Sequence, residues 1–164
     1  MSITSTHFKE SELQCHCGCG VNGMQQSALD LAEDVRSKAE DHFGQGRVKI
    51  DVISAYRCPE HNAAVGGAKH SQHVLGLALD IGLQVAQDYG GKGKRKWVPV
   101  PVGVFEQIAR RSRLLGGIGR DDARGFVHID ARPRTTAVPA QWCYANGKEV
   151  PYYPVPETPA VKST

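Results

Sequence analysis

Residues 70–81 read His70-Ser71-Gln72-His73-Val74-Leu75-Gly76-Leu77-Ala78-Leu79-Asp80-Ile81, and the reading of this stretch decides the rest. From Leu77 to Leu83 the run is apolar apart from Asp80 and Gly82, the pattern of a strand buried in a core. A carboxylate there carries a desolvation cost of about several kcal/mol unless something offsets it, and a metal ion can. His73, seven positions earlier, is a second ligand type that zinc accepts. Hydrolytic zinc sites use three imidazole or carboxylate ligands and leave a fourth position for water.

A third ligand should come from another element. Gly125 to Ala131 reads as a second short strand, and period-two alternation puts Phe126, His128 and Asp130 on one face and Val127 and Ile129 on the other. His128 completes the candidate metal set His73, Asp80 and His128. Asp130 shares its side, placed to hydrogen-bond a ligand imidazole or to orient a metal-bound water. The plain alternative is that these are ordinary core or surface residues in a chain with 7 histidines.

Outward from these strands, Met24, Ala28, Leu31, Ala32, Val35, Ala39 and Phe43 recur at three- and four-residue steps and predict an amphipathic helix over 24–43. Gly44-Gln45-Gly46 ends it, and Val48 to Ile53 follows as a partly buried strand. Pro59 to Val65 suits a short helix with proline in its first turn, closed by Gly66-Gly67. Val102 to Leu115 has helical spacing, with Pro99 and Pro101 fixing its start. These elements predict an α+β fold, a small antiparallel sheet flanked by helices, in one domain over residues 1–150. The Pro-rich segment 151–164 is expected as an extended, poorly ordered tail.

The totals agree with one domain: 164 residues, 40% hydrophobic and 23% charged. No apolar run approaches the roughly 20 residues of a membrane span. The start, MSITSTHFKESELQ, lacks the marks of a secretory signal, so the expectation is synthesis in the cytoplasm. A net charge of +3 is too small and too scattered for a nucleic-acid binder, and no membrane partner is expected. The one dense basic run, Lys92, Lys94, Arg95 and Lys96, reads as a solvated flexible loop, or else as weak steering toward an acidic polymer such as a cell wall. Of the 5 cysteines, Cys15, Cys17 and Cys19 crowd together. A structural metal completed by Cys58 or His16, a disulfide to Cys58, and free thiols all stay open, as does the state of Cys143.

Several segments carry a family resemblance: Ser54-Ala55-Tyr56-Arg57, Cys58-Pro59-Glu60-His61-Asn62, Val65-Gly66-Gly67-Ala68, Ser71-Gln72-His73 through Gly76, Ala78 and Asp80, and Gly125-Phe126-Val127-His128-Ile129-Asp130. Together, from about Phe8 to Trp142, they resemble the zinc D-alanyl-D-alanine carboxypeptidase (M15) family, most of all its short phage- and prophage-associated members, which are similar to endolysins and murein endopeptidases. The resemblance implies the Hedgehog/D-Ala-D-Ala carboxypeptidase fold and one catalytic Zn2+ on His73, Asp80 and His128. It also implies that zinc-bound water hydrolyses amide bonds in peptidoglycan stem peptides or cross-links that contain a D-amino acid. Arg57 falls where the family binds or polarises a substrate carbonyl or carboxylate. Ser71 matches a serine that supports the ligand loop. Family members commonly carry an acidic general base three positions before the last zinc histidine, and here that position is Gly125. Asp130 is then the first candidate base, followed by Asp121, Asp122 and His70. The expected partner is bacterial peptidoglycan, reached by a monomer after lysis or release, or within a phage particle. A non-catalytic zinc-stabilised wall-binding or phage structural module is the alternative, and a cysteine-dependent enzyme a third reading.

Overall fold

The computed structural model describes residues 4–91 and 93–155. In chain order its elements are α1 (Glu10–Leu13), α2 (Gln26–Phe43), β1 (Val48–Ser54), α3 (Pro59–Ala64), β2 (Ala78–Asp88), β3 (Arg95–Pro99), α4 (Val102–Ala109), β4 (Gly117–Asp121), β5 (Phe126–Asp130), β6 (Ala140–Ala145) and β7 (Lys148–Pro151). The α+β class expected from the sequence is the class observed. The seven strands form one sheet in the order β1-β2-β5-β4-β6-β7, with β3 also on β2. Every pairing is antiparallel except β4 with β6, which is parallel. The sheet is therefore larger than the small antiparallel one that the sequence predicts.

One face of the sheet is dry. The buried stripe of α2, Ala28, Leu29, Leu31, Ala32, Val35 and Ala39, is rich in small residues, so the helix axis lies close over β1, β2 and β5. Phe105, Ile108 and Ala109 of α4 fill in beside it over β2, β4 and β5. Leu79, Ile81, Ile118, Val127 and Ile129 meet these helices from below. Because side chains alternate, Asp80, His128 and Asp130 point to the opposite face.

Two sequence expectations need correction. Arg95 and Lys96 do not lie in a loop: they belong to β3, an exposed edge strand paired with the far half of β2, where Arg95 opposes Asp88 and Lys96 opposes Gln87. Solvent-facing charge on such an edge discourages pairing with other chains. Lys92 lies outside the described residues. The helix after Pro101 stops at Ala109 rather than Leu115. Ser112 explains the break, since its hydroxyl accepts the Leu114 N–H at 3.2 Å and offers the backbone a turn instead of another helical step. Leu115 is still fully buried, reached through that turn. β4, β6 and β7 are strands that the apolar periodicity does not announce: Gly-Ile-Gly-Arg-Asp carries a single apolar side chain, and the last two strands are short and mostly exposed.

On the helix side, the Arg120 guanidinium is buried against Glu106, with Nη1 to Oε2 at 2.6 Å. Arg110 holds the other oxygen of Glu106, also at 2.6 Å. Tyr152 lies under Arg110 and Tyr153 under Arg120, their ring centroids 4.7 and 4.9 Å from the guanidinium carbons. The start of the predicted tail thus covers this network, and residues 156–164 lie outside the described residues. Among the described residues no helix is long and apolar enough to cross a membrane.

Candidate metal centre

The site is a row drawn across five strands. Ser54 of β1 opposes Asp80 of β2, Asp80 opposes His128 of β5, His128 opposes Gly119 of β4, and Gly119 opposes Trp142 of β6. A register irregularity between Val52 and Ser54 re-aims the end of β1 so that Ser54 reaches its place, a common device beside functional sites. The missing side chain at Gly119 makes room for the indole. A Cβ there would fall 2.5 Å from Trp142 Nε1. The Trp142 ring instead rests 5.1 Å from the His128 ring.

His73 arrives from outside the sheet, on the turn between α3 and β2. Ser71 Oγ accepts the His73 N–H at 3.3 Å, and the His73 carbonyl accepts the N–H groups of Arg57 and Gly76, each at 3.2 Å. Gly76 has φ +70°, and a Cβ on it would collide with the Gly23 carbonyl, so glycine is required twice over.

The three candidate ligands meet at one point and are nearly excluded from solvent. His73 Nε2 lies 3.2 Å from both Asp80 Oδ1 and His128 Nδ1, and His128 Nδ1 lies 2.9 Å from Asp80 Oδ1. The outer atoms explain what meets there. His73 Nδ1 is 2.6 Å from the Ala55 carbonyl, which can only accept, so that nitrogen carries the proton. His128 Nε2 is 3.2 Å from Asp130 Oδ2 and likewise donates outward. In these tautomers, assigned from the bonding, Nε2 of His73, Nδ1 of His128 and Oδ1 of Asp80 aim three lone pairs at one another. A cation between them would satisfy all three, and imidazole with carboxylate is a donor set suited to zinc.

Burial lowers the His73 pKa. Burial would lower that of His128 too, but hydrogen bonds to Asp130 and Asp80 outweigh it and lift the group to about 9. Burial would raise Asp80, yet the two imidazoles hold its carboxyl well below the usual range. A proton on His128, held by Asp80 and Asp130, is the competitor of a metal.

Arg57 stands at the rim. Its Nη2 donates to Asp80 Oδ2 at 2.8 Å and its Nε to Ser54 Oγ at 3.0 Å. Asp130 sits behind His128 rather than at the convergence point. It is fully buried, and Arg132 grips it with Nε to Oδ1 at 2.7 Å and Nη2 to Oδ2 at 2.6 Å. Burial would raise its pKa, but His128 and Arg132 hold it at about 2. Gly117 clears the space for this pair, since a Cβ there would strike both side chains.

The other candidate bases are not brought in. Asp121 is held by Arg124 at 2.6 Å, Asp122 bonds Arg120 and Tyr153, and His70 is exposed. Gly125 occupies the turn between β4 and β5 with φ +76° and its N–H on the Asp121 carbonyl at 2.9 Å. That turn favours glycine, which accounts for the missing acid there. Sequence reasoning passed over Arg132, Trp142 and the Ala55 carbonyl. The alternate glycines Gly117 and Gly119 were the available signal, because small residues at period two on one strand mark a face that something large must cross.

Two buried imidazoles and a buried carboxylate facing one point, on the face of the sheet away from α2 and α4, are a group that could hold one metal ion. A family model described as Peptidase M15 matches residues 6–130, so the chain belongs to the peptidase M15 family, a family of metallopeptidases. No curated protein and no solved structure matches it. The matched segment contains His73, Asp80, His128 and Asp130 and ends before Trp142.

As Asp130 fixes the outward proton of His128, Asp130→Asn is expected to lower metal affinity about 10- to 100-fold, the usual effect of losing a carboxylate behind a ligand imidazole. Competition with a chromogenic chelator measures this, and an unchanged affinity would remove Asp130 from the site.

Proposed function

We propose that this protein is a zinc-dependent peptidase that hydrolyses amide bonds in peptidoglycan stem peptides or cross-links containing a D-amino acid. The single observation that carries the reading is the convergence of His73 Nε2, Asp80 Oδ1 and His128 Nδ1, with Arg57 beside them, in a chain of this family. Zinc held there would supply Lewis acidity, bringing the pKa of a bound water toward about 7 and polarising a scissile carbonyl.

The chain's own groups do the rest. Arg57 spends two N–H groups on Asp80 and Ser54 and keeps others to orient a substrate carbonyl or terminal carboxylate and to stabilise the developing oxyanion. Asp130 acts as a positioning residue, holding His128 in the tautomer that presents Nδ1. With a pKa of about 2 and both oxygens on Arg132, it is poorly matched to accept a proton at neutral pH. Trp142 walls the His128 side and excludes water from the ligand ring.

A second reading, a non-catalytic zinc-stabilised wall-binding or phage structural module, draws on one observation. Among the described residues, Asp80 and Asp130 are the carboxylates bonded to the three ligands, and both are already engaged. Incubation with purified peptidoglycan separates the two readings. The peptidase releases new amines and shortened muropeptides, stops when a chelator removes the metal and resumes with added zinc. Bound zinc at one per site with no new amine would establish the module instead.

A further inference from the structure

We propose that Cys15, Cys17, Cys19 and Cys58 hold a second, structural zinc ion, separate from the His73, Asp80 and His128 centre and independent of the peptidase reading. The sulfurs of these four residues all lie within 4.8 Å of one another. Cys15 Sγ is 3.4 Å from Cys17 Sγ, and Cys17 Sγ is 3.7 Å from Cys58 Sγ. A disulfide would bring a pair to about 2.05 Å. Zinc–sulfur bonds of about 2.3 Å in a tetrahedron set neighbouring sulfurs about 3.8 Å apart, so the spacing here is that of ligands around an ion.

The tight C-x-C-x-C spacing is workable because the chain turns. An extended strand would carry Cys15, Cys17 and Cys19 steadily apart along one face, some 7 Å per pair of residues. Residues 16–19 instead form a turn, with Gly18 at φ +83°, a conformation open to glycine and strained for other residues. The Cys15 N–H bonds the Val21 carbonyl at 2.9 Å and closes the loop. Cys58 comes from 43 residues away, at the cap of α3.

The surroundings suit thiolates. The Cys58 N–H points at Cys15 Sγ at 3.3 Å and the His61 N–H at Cys58 Sγ at 3.4 Å. His61 Nδ1 lies 3.2 Å from Cys15 Sγ, where a protonated nitrogen would support the sulfur from outside. Cys15 and Cys58 are buried while Cys17 and Cys19 are exposed, so an ion can enter from solvent. On binding, the zinc replaces the thiol protons, which leave to water, with no change of oxidation state.

The position gives the ion a task. Cys58 directly follows Arg57, and Ala55 in the same segment accepts the His73 imidazole N–H. The Tyr56 N–H bonds the Leu13 carbonyl at 3.3 Å. A clamp between the 15–19 loop and Cys58 therefore fixes the segment that orients Arg57 and one candidate ligand of the other centre.

The test uses full-length protein prepared under reductant, its metals counted and then exchanged for cobalt. The expected wild-type result is two zinc ions per chain and a thiolate-to-cobalt charge-transfer band with strong tetrahedral d–d absorption. That band should persist in His73→Ala and vanish in Cys17→Ser/Cys19→Ser, each variant keeping one zinc, so that failure of either centre is read separately. The wild-type spectrum needs no variant to fold. The proposal is overturned if that spectrum lacks the thiolate band, if the four thiols react equally fast with and without zinc, or if peptide mapping finds a disulfide among them.

Discussion

Asp80→Ala is expected to lower zinc affinity at the His73, Asp80 and His128 centre by about a hundred- to several-thousand-fold and to take amide hydrolysis with it. Asp80 is the hub. It meets both imidazoles through Oδ1 and the Arg57 guanidinium through Oδ2, and it is almost wholly buried. Removing one member of such a buried charged set costs about 3–5 kcal/mol, because the partners stay desolvated without their counterion. At about 1.4 kcal/mol per factor of ten, that range gives the stated loss. Asp80→Asn is the sharper control. It keeps the size of the side chain and one acceptor oxygen but not the charge, so its affinity should fall between those of wild type and Asp80→Ala. Isothermal titration with zinc, alongside amine release from peptidoglycan, checks both. Full zinc binding and activity in Asp80→Ala would exclude this centre.

The second large effect is on stability, at the other face of the sheet. Glu106→Ala is expected to destabilise the protein by about 3–5 kcal/mol, because Arg120, with a side chain 2% exposed, would keep its charge and lose its buried partner. For a domain of this size the melting temperature should fall by about 6–20 °C. Asp122 also contacts Arg120 at 3.1 Å, but its carboxylate is half exposed and replaces little of the loss. Metal content at the His73, Asp80 and His128 centre should not change, because Glu106 is on α4, on the helix side of the sheet, and the ligands lie on the other side. The double change Glu106→Met/Arg120→Met should cost less than the single one, since it leaves no charge unpaired. Thermal melts of the three proteins decide the matter. A Glu106→Ala variant that melts with wild type would mean the pair contributes nothing.

The two faces answer different demands, and this governs how much of each could be read in advance. A helix face is a local pattern. The stripe from Ala28 to Ala39 repeats at helical steps, and α2 lies where that stripe predicts. The strand carrying Asp80 and the one carrying His128 were legible for a related reason, because a charged or polar residue inside an apolar run is costly and demands a partner. The resemblance in the segments from Ser54 to Asp130 named the same three residues.

Strands without apolar periodicity stayed hidden. β4 is a glycine-rich strand whose flatness makes sense only once Trp142 and the Asp130–Arg132 pair are seen lying across it. β6 joins β4 in parallel, a pairing between distant segments that no local spacing encodes. The Arg120–Glu106 pair escaped for the same reason, since Arg120 looks like a surface residue until α4 is set over it.

By itself, then, the sequence determined the α+β class, the main helix, the two strands that carry Asp80 and His128, and which side chains could serve as ligands. Each of these rests on a neighbour-to-neighbour pattern or on the cost of burying one group. Only the tertiary structure decided that Asp130 backs His128 and is gripped by Arg132, that Gly125 serves a turn, and that Cys58 closes on Cys15, Cys17 and Cys19 from across the fold. Those facts depend on strand register and loop closure, which are set by the packing of segments far apart in the chain.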